Sequence, residues 1–114
     1  MNEPTTRLLD FIRRSPTALH AAENAANALR AAGYAELSES RSWALQPGGR
    51  YFVRRNGSAI AAFALPEDPR AAHFQIYAAH GDSPALRVKA VWRLADRLYL
   101  RLNTEPYGGG LWGT

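Results

Sequence analysis

The stretch YFVRRNGSAIAAFAL, residues 51–65, decides the fold. Tyr51-Phe52-Val53 is typical of a β-strand, and Asn56-Gly57 is a strong hairpin signal because both residues tolerate a positive φ. The run from Ala59 to Leu65 is nearly all apolar, which is typical of a strand buried on both faces. The sequence therefore predicts an antiparallel pair of strands at the centre of a sheet.

Two helices are predicted before this hairpin. The first carries an apolar stripe at helical spacing, formed by Leu8, Leu9, Phe11 and Ile12. It ends at Arg14, because a residue that precedes proline avoids the helical region. The second helix has Ser15 as its N-cap and Pro16 at its first position, and Gly33 follows its C-cap. Its inner face is rich in alanine, so we expect it to pack closely on a flat surface such as a sheet.

The second half of the chain is predicted to contain more strands. Phe74–Ala79 is typical of a buried strand and leads directly into His80. Leucines alternate with polar residues up to Leu102, which is typical of a half-exposed strand, and residues 94–97 break that pattern into a hairpin. These elements predict an α/β fold in which helices pack on a mixed β-sheet. We place a domain boundary near Ala90, with one domain over residues 1–90 and a β-rich one over residues 91–114.

Composition excludes several classes of protein. The 114 residues are 46% hydrophobic and include no cysteine, which suits one globular domain without a disulfide framework or a thiolate metal site. No apolar run approaches the roughly 20 residues that cross a bilayer, and the first residues are polar, so we expect a cytoplasmic protein without a membrane partner. The net charge of +4 is interpreted as an arginine-rich surface, and no nucleic-acid partner is expected.

The segment AHGDSP, residues 79–84, holds the candidate site. A histidine that binds a metal through one ring nitrogen needs an acceptor on the other, and Asp82 is suitably close to His80 to be that acceptor. Without cysteine, a metal held by histidine and carboxylate favours zinc, manganese or cobalt. The same two residues also fit a loop histidine that is merely hydrogen-bonded to its neighbour. His20 is interpreted as a packing residue, and a strand would put His73 about 23 Å from His80.

Four blocks along the chain resemble the N-terminal part of the aspartyl aminopeptidase family of metallopeptidases. They are LLDFIRRSPTALHAAENA, AAGYAELSESRSWALQPGGRYFVRRNGSAIAAF, AAHGDSPALRVK and EPYGGGLWGT, and they run from about Leu8 to Thr114. The resemblance implies that His80 is a metal ligand and that Asp82 is the catalytic-site aspartate that orients it. It also implies a two-metal centre, usually zinc, with Mn²⁺ or Co²⁺ as alternatives. Gly81 stands where threonine is usual in the family.

The resemblance also implies what the protein does. Members of the family are cytoplasmic homo-oligomers that remove N-terminal acidic residues from peptides, and their other metal ligands lie in later parts of the sequence. The stretch after Lys89 resembles the start of the family's inserted oligomerisation domain. We therefore expect an N-terminal fragment of a metallo-aminopeptidase catalytic domain that is inactive alone.

Two other functions fit the residues. The first alternative is a non-catalytic protein-interaction module that binds through strand edges and exposed aromatic residues. The second is a nucleic-acid interface, ranked last, formed by a run of basic residues: Arg87, Lys89, Arg93, Arg97 and Arg101.

Overall fold

The chain divides into two units. The computed structural model describes residues 3–68, 70 and 73–109, and the division falls between Asp82 and Ser83. The first unit holds the helices and a three-stranded sheet, and the second is a two-stranded ribbon. The predicted boundary near Ala90 lies within the first strand of the ribbon. That the later residues begin an oligomerisation domain stays a prediction.

Two helices open the first unit. Helix α1 spans Glu3–Arg13 and α2 spans Ala18–Ala31, so both predicted helices are present. The predicted N-cap of α2 is wrong, because Thr17 rather than Ser15 occupies that position. The Thr17 hydroxyl accepts a hydrogen bond from the His20 amide at 3.4 Å, which satisfies one of the otherwise free N–H groups of the first turn. None of the described helices is long and apolar enough to cross a bilayer.

The sheet is mixed, as predicted. Strand β1 spans Ala35–Leu37, β2 spans Arg50–Arg55 and β3 spans Ala59–Ala64, in the spatial order β1-β2-β3. β1 runs parallel to β2, and β2 pairs antiparallel with β3. Asn56 and Gly57 turn the chain between β2 and β3 with φ angles of 51° and 69°, so the predicted hairpin is confirmed.

Helix α2 covers one face of this sheet. Ala22, Ala26 and Phe52 are the most deeply buried side chains in the described chain, with exposures of 3%, 0% and 0%. Because these two helix residues are alanines, they leave room for the Phe52 ring. The Arg30 guanidinium lies over that ring at 5.6 Å from its centroid, which is a favourable cation–π distance. The expectation that the alanine-rich face packs on a flat surface is confirmed.

Aromatic side chains form a smaller cluster on the sheet. The Tyr51 and Phe63 ring centroids are 5.6 Å apart, and those of Trp43 and Phe63 are 6.1 Å apart. The Tyr51 hydroxyl accepts a hydrogen bond from the Gln46 amide at 2.8 Å. The prediction that β3 is buried on both faces is wrong, because its four alanines are exposed. β3 forms a ladder with β2 only, so its other edge has no strand partner among the described residues.

The second unit is an antiparallel ribbon. Strand β4 spans Ala85–Ala95 and β5 spans Leu100–Tyr107. The predicted hairpin is confirmed, but its turn lies at residues 96–99 rather than 94–97, because Leu94 and Ala95 still belong to β4. The Asp96 carboxylate accepts hydrogen bonds from the Leu98 and Tyr99 amides at 2.9 Å each and closes the turn. None of the described side chains of the ribbon is buried. Several large apolar side chains are therefore exposed: Leu86, Val88, Val91, Trp92, Leu94, Leu98, Leu100 and Leu102.

Candidate metal-ligand site

His80 and Asp82 lie together in a tight turn at the end of the first unit. The Asp82 Oδ1 atom contacts His80 Nδ1 directly. The imidazole is 81% exposed, whereas the carboxylate is only 23% exposed. The structure therefore brings together the two residues that the sequence singled out, with the acid set into the turn and the ring projecting from it.

This contact fixes how the imidazole can act. A carboxylate beside Nδ1 favours the neutral tautomer that carries its proton on that atom, which leaves the lone pair on Nε2. No hydrogen bond or ion pair to Nε2 is formed by the residues that the structure describes. The exposed nitrogen is thus available to bind a cation, and the acceptor on the other nitrogen is the arrangement seen for metal-ligating histidines.

The segment that leads into His80 differs from its prediction. Phe74–Ala79 is not a strand in the structure, and Phe74, Ile76 and Tyr77 are 95%, 82% and 87% exposed. A strand exists only where a neighbour completes its ladder. The apolar pattern is typical of a segment that can be buried, but no described strand pairs with this segment.

The other histidines do not join His80. His20 lies in the first turn of α2, with its Nδ1 atom 2.8 Å from the Thr17 hydroxyl, so it has a hydrogen-bond partner. It is exposed, however, and its predicted packing role is wrong. Across residues 3–68, 70 and 73–109, no three histidine, aspartate or glutamate side chains converge where a metal would fit. The described residues therefore fit one ligand position of a metal centre, together with the acid that supports it.

A second group of acids lies in a groove of about 760 Å³ beside β1 and the β2–β3 turn. Glu36 receives hydrogen bonds from Arg30 at 2.6 Å and from Arg54 at 2.7 Å, and Glu39 is paired with Arg55 at 2.6 Å. These guanidinium groups hold the pKa of both carboxyl groups below the usual range. Because each charge is already neutralised, the groove does not compete with His80 for a cation.

Sequence reasoning missed the close backbone approach behind the His80 turn. A Cβ atom placed on Gly81 would lie 3.5 Å from the Ser58 carbonyl oxygen in the β2–β3 turn. The two residues are far apart in the sequence, and neither carries a side chain that signals the contact. The only available sign was the small size of Gly81, which permits a close backbone approach.

Comparisons with known proteins agree with the resemblance noted in the sequence. Residues 11–114 match the family described as aminopeptidase I zinc metalloprotease (M18). A probable aspartyl aminopeptidase of Ricinus communis is 43% identical over 108 residues, which cover 94% of this chain and 22% of the relative. A probable M18 family aminopeptidase 2 of Pseudomonas putida is 47% identical over 107 residues, which cover 93% of this chain and 25% of the relative.

A solved structure gives the same result for the fold. The structure described as the Ape4 and Nbr1 complex superposes with a TM-score of 0.79 at 40% identity, covering 94% of this chain and 21% of that one. The chain thus spans about a quarter or less of the length of the relatives it matches.

Proposed function

This chain belongs to the aminopeptidase I zinc metalloprotease (M18) family, and from that premise we propose that it forms the N-terminal part of a metal-dependent aminopeptidase. The observation that carries the proposal is the paired turn, in which Asp82 contacts Nδ1 of His80 and the imidazole is 81% exposed. In this proposal Nε2 is a zinc ligand, and Asp82 is the catalytic-site residue that fixes the tautomer and direction of the ring.

One imidazole is too few ligands for catalysis. A catalytic zinc site has three protein ligands and an open position, and the described residues offer no second ligand beside His80. A bound zinc would polarise the peptide carbonyl and acidify a water molecule, so chemistry requires further ligands from a longer polypeptide. The 114 residues alone are accordingly proposed to be inactive.

The proposed substrates are peptides with an acidic N-terminal residue. Support comes from relatives that bear the name aspartyl aminopeptidase, among them the Ricinus communis protein. The proposed assembly is a cytoplasmic homo-oligomer. The ribbon supports self-assembly because its leucines and Trp92 are exposed, and apolar surface of that extent is a mark of an interaction site.

The proposal is tested by the metal content of a chimera in which these 114 residues replace the matching N-terminal part of a longer M18 relative. Replacing His80 by alanine is expected to reduce zinc content and peptide hydrolysis at least 100-fold, since a ligand is lost. His20→Ala is the matched control, because the hydrogen bonds of this exposed histidine to described side chains are those with Thr17 in the α2 cap. Full zinc content in the His80→Ala protein would reject His80 as a ligand.

The same chimera tests the role of Asp82. Asp82→Asn keeps the size of the side chain but removes the charge that holds the imidazole tautomer. We expect zinc to bind about 10- to 100-fold more weakly, which is the usual cost of losing such a partner. Asp68→Asn is the control, since Asp68 is exposed and accepts a hydrogen bond from the Arg70 amide. Equal zinc affinity in the two variants would remove Asp82 from the site.

A non-catalytic interaction module is the second candidate function. It is favoured by the exposure of Phe74, Ile76 and Tyr77, whose side chains are more than 80% accessible, because extended apolar segments pair readily with other chains. A folded monomer that needs no further polypeptide would support this alternative over an incomplete catalytic domain.

A further inference from the structure

We propose that the β2–β3 turn, Asn56–Ser58, is a positioning element for the metal-ligand turn, His80–Asp82. The inference rests on the proposed function, because it concerns how His80 is held for a metal. It adds a role for residues that carry no metal-binding chemistry of their own. The residues of the β2–β3 turn contribute a fixed surface beside the ligand turn.

The β2–β3 turn has a well-defined shape. Asn56 and Gly57 are both left-handed, with φ angles of 51° and 69°, and the Ser58 amide donates to the Arg55 carbonyl at 3.3 Å. The strands β2 and β3 that flank the turn pair in register, with Arg55 opposite Ala59. Two successive left-handed residues match the twist of the paired strands, so the direction of the Ser58 carbonyl follows from the hairpin itself.

The ligand turn lies close to that carbonyl. A Cβ atom on Gly81 would be 3.5 Å from Ser58 O, which is ordinary van der Waals contact. Gly81 is not among the residues with a positive φ, so its backbone is unstrained. Since no described strand pairs with Phe74–Ala79, this close approach places the ligand turn beside the sheet where a β ladder does not.

Helix α2 supports the β2–β3 turn from another side. A Cβ atom on Gly57 would lie 3.3 Å from the Leu19 Cδ2 atom, so the first turn of α2 is packed close to Gly57. Leu19 thus lies next to the hairpin turn, and the carbonyl of the next residue of that turn lies near Gly81. A displacement of the hairpin turn moves the support of His80 as well.

Metal binding is sensitive to such a displacement. Ligand distances in zinc sites are set within about 0.2 Å, and a site whose support is loose binds its ligand poorly. An imidazole that is 81% exposed has few packing contacts of its own. The position of the imidazole therefore depends on the backbone of the ligand turn, and that backbone lies near Ser58.

The contact itself is tested by cross-linking. The chain has no cysteine, so Ser58→Cys combined with Gly81→Cys introduces the only two thiols. We expect rapid intramolecular cross-linking by a short bifunctional thiol reagent. Ala28→Cys with Gly81→Cys is the control, because Ala28 lies nine residues along α2 from Leu19, about 13 Å at the helical rise. Equal cross-linking of both pairs would overturn the proposed contact.

The positioning role is tested by zinc affinity in the chimera with a longer M18 relative. Gly57→Val adds a branched side chain where φ is +69°, a conformation that valine strongly avoids, and we expect zinc to bind about 10-fold more weakly. Gly57→Asn is the matched control, because asparagine adds bulk but tolerates this conformation. It is expected to keep the parent affinity.

The outcomes separate the two proposals. A merely structural turn would lower the thermal midpoint in Gly57→Val and leave the zinc dissociation constant unchanged, which would overturn the positioning role. If Gly57→Val does not fold, the Ser58–Gly81 cross-link decides the role. We expect the cross-linked protein to keep its zinc affinity, and a cross-link that abolishes zinc binding would overturn the proposal. Full zinc content after His80→Ala would instead reject the proposed function, whatever the cross-linking result.

Discussion

At the residue scale, the side-chain geometry of His80 decides which nitrogen is free for a metal. Asp82 occupies Nδ1 and the imidazole is 81% exposed, so Nε2 is the nitrogen left for a metal. The sequence predicted the two residues but not this assignment, because a spacing of one residue allows the carboxylate to meet either nitrogen or neither. The structure therefore refines the hypothesis to a single ligand atom.

Two glycines give a prediction at the same scale. Gly33 has a φ of +82° with no atom near its missing Cβ, whereas Gly81 has ordinary φ and a Cβ contact distance of 3.5 Å. We expect Gly33→Ala to lower the free energy of unfolding by about 1 kcal/mol, the cost of a left-handed alanine. Gly81→Ala should leave it unchanged or raise it by up to about 1 kcal/mol, since the unfolded chain loses freedom.

Urea unfolding of both variants is the measurement. A loss of stability in Gly81→Ala equal to that in Gly33→Ala would contradict this expectation. It would show that the Gly81 turn is strained or that a Cβ atom on Gly81 meets Ser58 O at less than 3.5 Å.

At the element scale, an ion cluster of Glu23, Arg30, Glu36 and Arg54 joins α2 to the sheet. Glu36 accepts from Arg30 and Arg54 at 2.6 and 2.7 Å, and Glu23 pairs with the same two arginines. The cluster therefore links α2, β1 and β2 on one side of the core. Because these side chains are partly exposed, the contribution of each pair is modest and falls with salt.

The cluster predicts a dependence on pH. Hydrogen bonds from Arg30 and then Arg54 lower the pKa of Glu36 below its ordinary 4.5. The folded state therefore binds fewer protons than the unfolded state, and the stabilisation is present above about pH 4.5 and lost as the pH falls through the lowered pKa. Between pH 6 and pH 3 we expect the parent chain to lose more unfolding free energy than Glu36→Gln.

Denaturant unfolding at several pH values checks this expectation. Glu67→Gln is the matched control, since Glu67 is an exposed residue outside the cluster. An acid loss in Glu36→Gln as large as in the parent chain would show that the cluster does not contribute through Glu36.

The same scale shows which elements the sequence could predict. The Asn56-Gly57 hairpin was predictable because its signal is local and both residues adopt the required positive φ. Phe74–Ala79 was not, because strand formation depends on a neighbour that no local pattern reveals. The α2 cap was misplaced by two residues because serine and threonine are both favoured as caps, and the Thr17 bond to the His20 amide is what identifies the cap that forms.

The ion cluster escaped prediction for a related reason. Arg54 and Glu23 are 31 positions apart, so their pairing exists only after the helix has packed on the sheet. The candidate site was predictable in part. His80 and Asp82 are near neighbours in the sequence, whereas the approach of Ser58 to Gly81 exists only after the hairpin has folded.

At the scale of the whole molecule, the amount of exposed apolar surface is the main feature. Among the residues that the structure describes, the buried ones lie at the α2–sheet contact or are Tyr51, while Phe74, Ile76 and the ribbon leucines are exposed. Small domains need most of their apolar surface covered to be stable. The chain matches proteins about four times its length, and the proposed function gives that surface partners in a longer polypeptide.

Self-association of the 114 residues alone is the corresponding prediction. Two features favour it: the open edge of β3, which carries no charged residue along Ala59–Ala64, and the exposed Phe74–Ala79 segment. We expect the sedimentation coefficient to rise with concentration, and Phe74→Ser combined with Ile76→Ser to reduce the effect. Leu8→Ser is the control, since it removes an exposed apolar side chain from α1 instead.

A stable monomer at every concentration would contradict this account of the surface. It would favour the interaction module, because a self-sufficient unit does not need a longer polypeptide to cover its apolar residues.

The most direct test of the central claim is anomalous scattering at the zinc edge from crystals of the chimera with a longer M18 relative. The account predicts a zinc peak about 2.0–2.1 Å from Nε2 of His80, the usual zinc–imidazole distance, with Nδ1 still on Asp82. A fully occupied zinc site that His80 does not touch, or one bound through Nδ1 with Asp82 displaced, would contradict it.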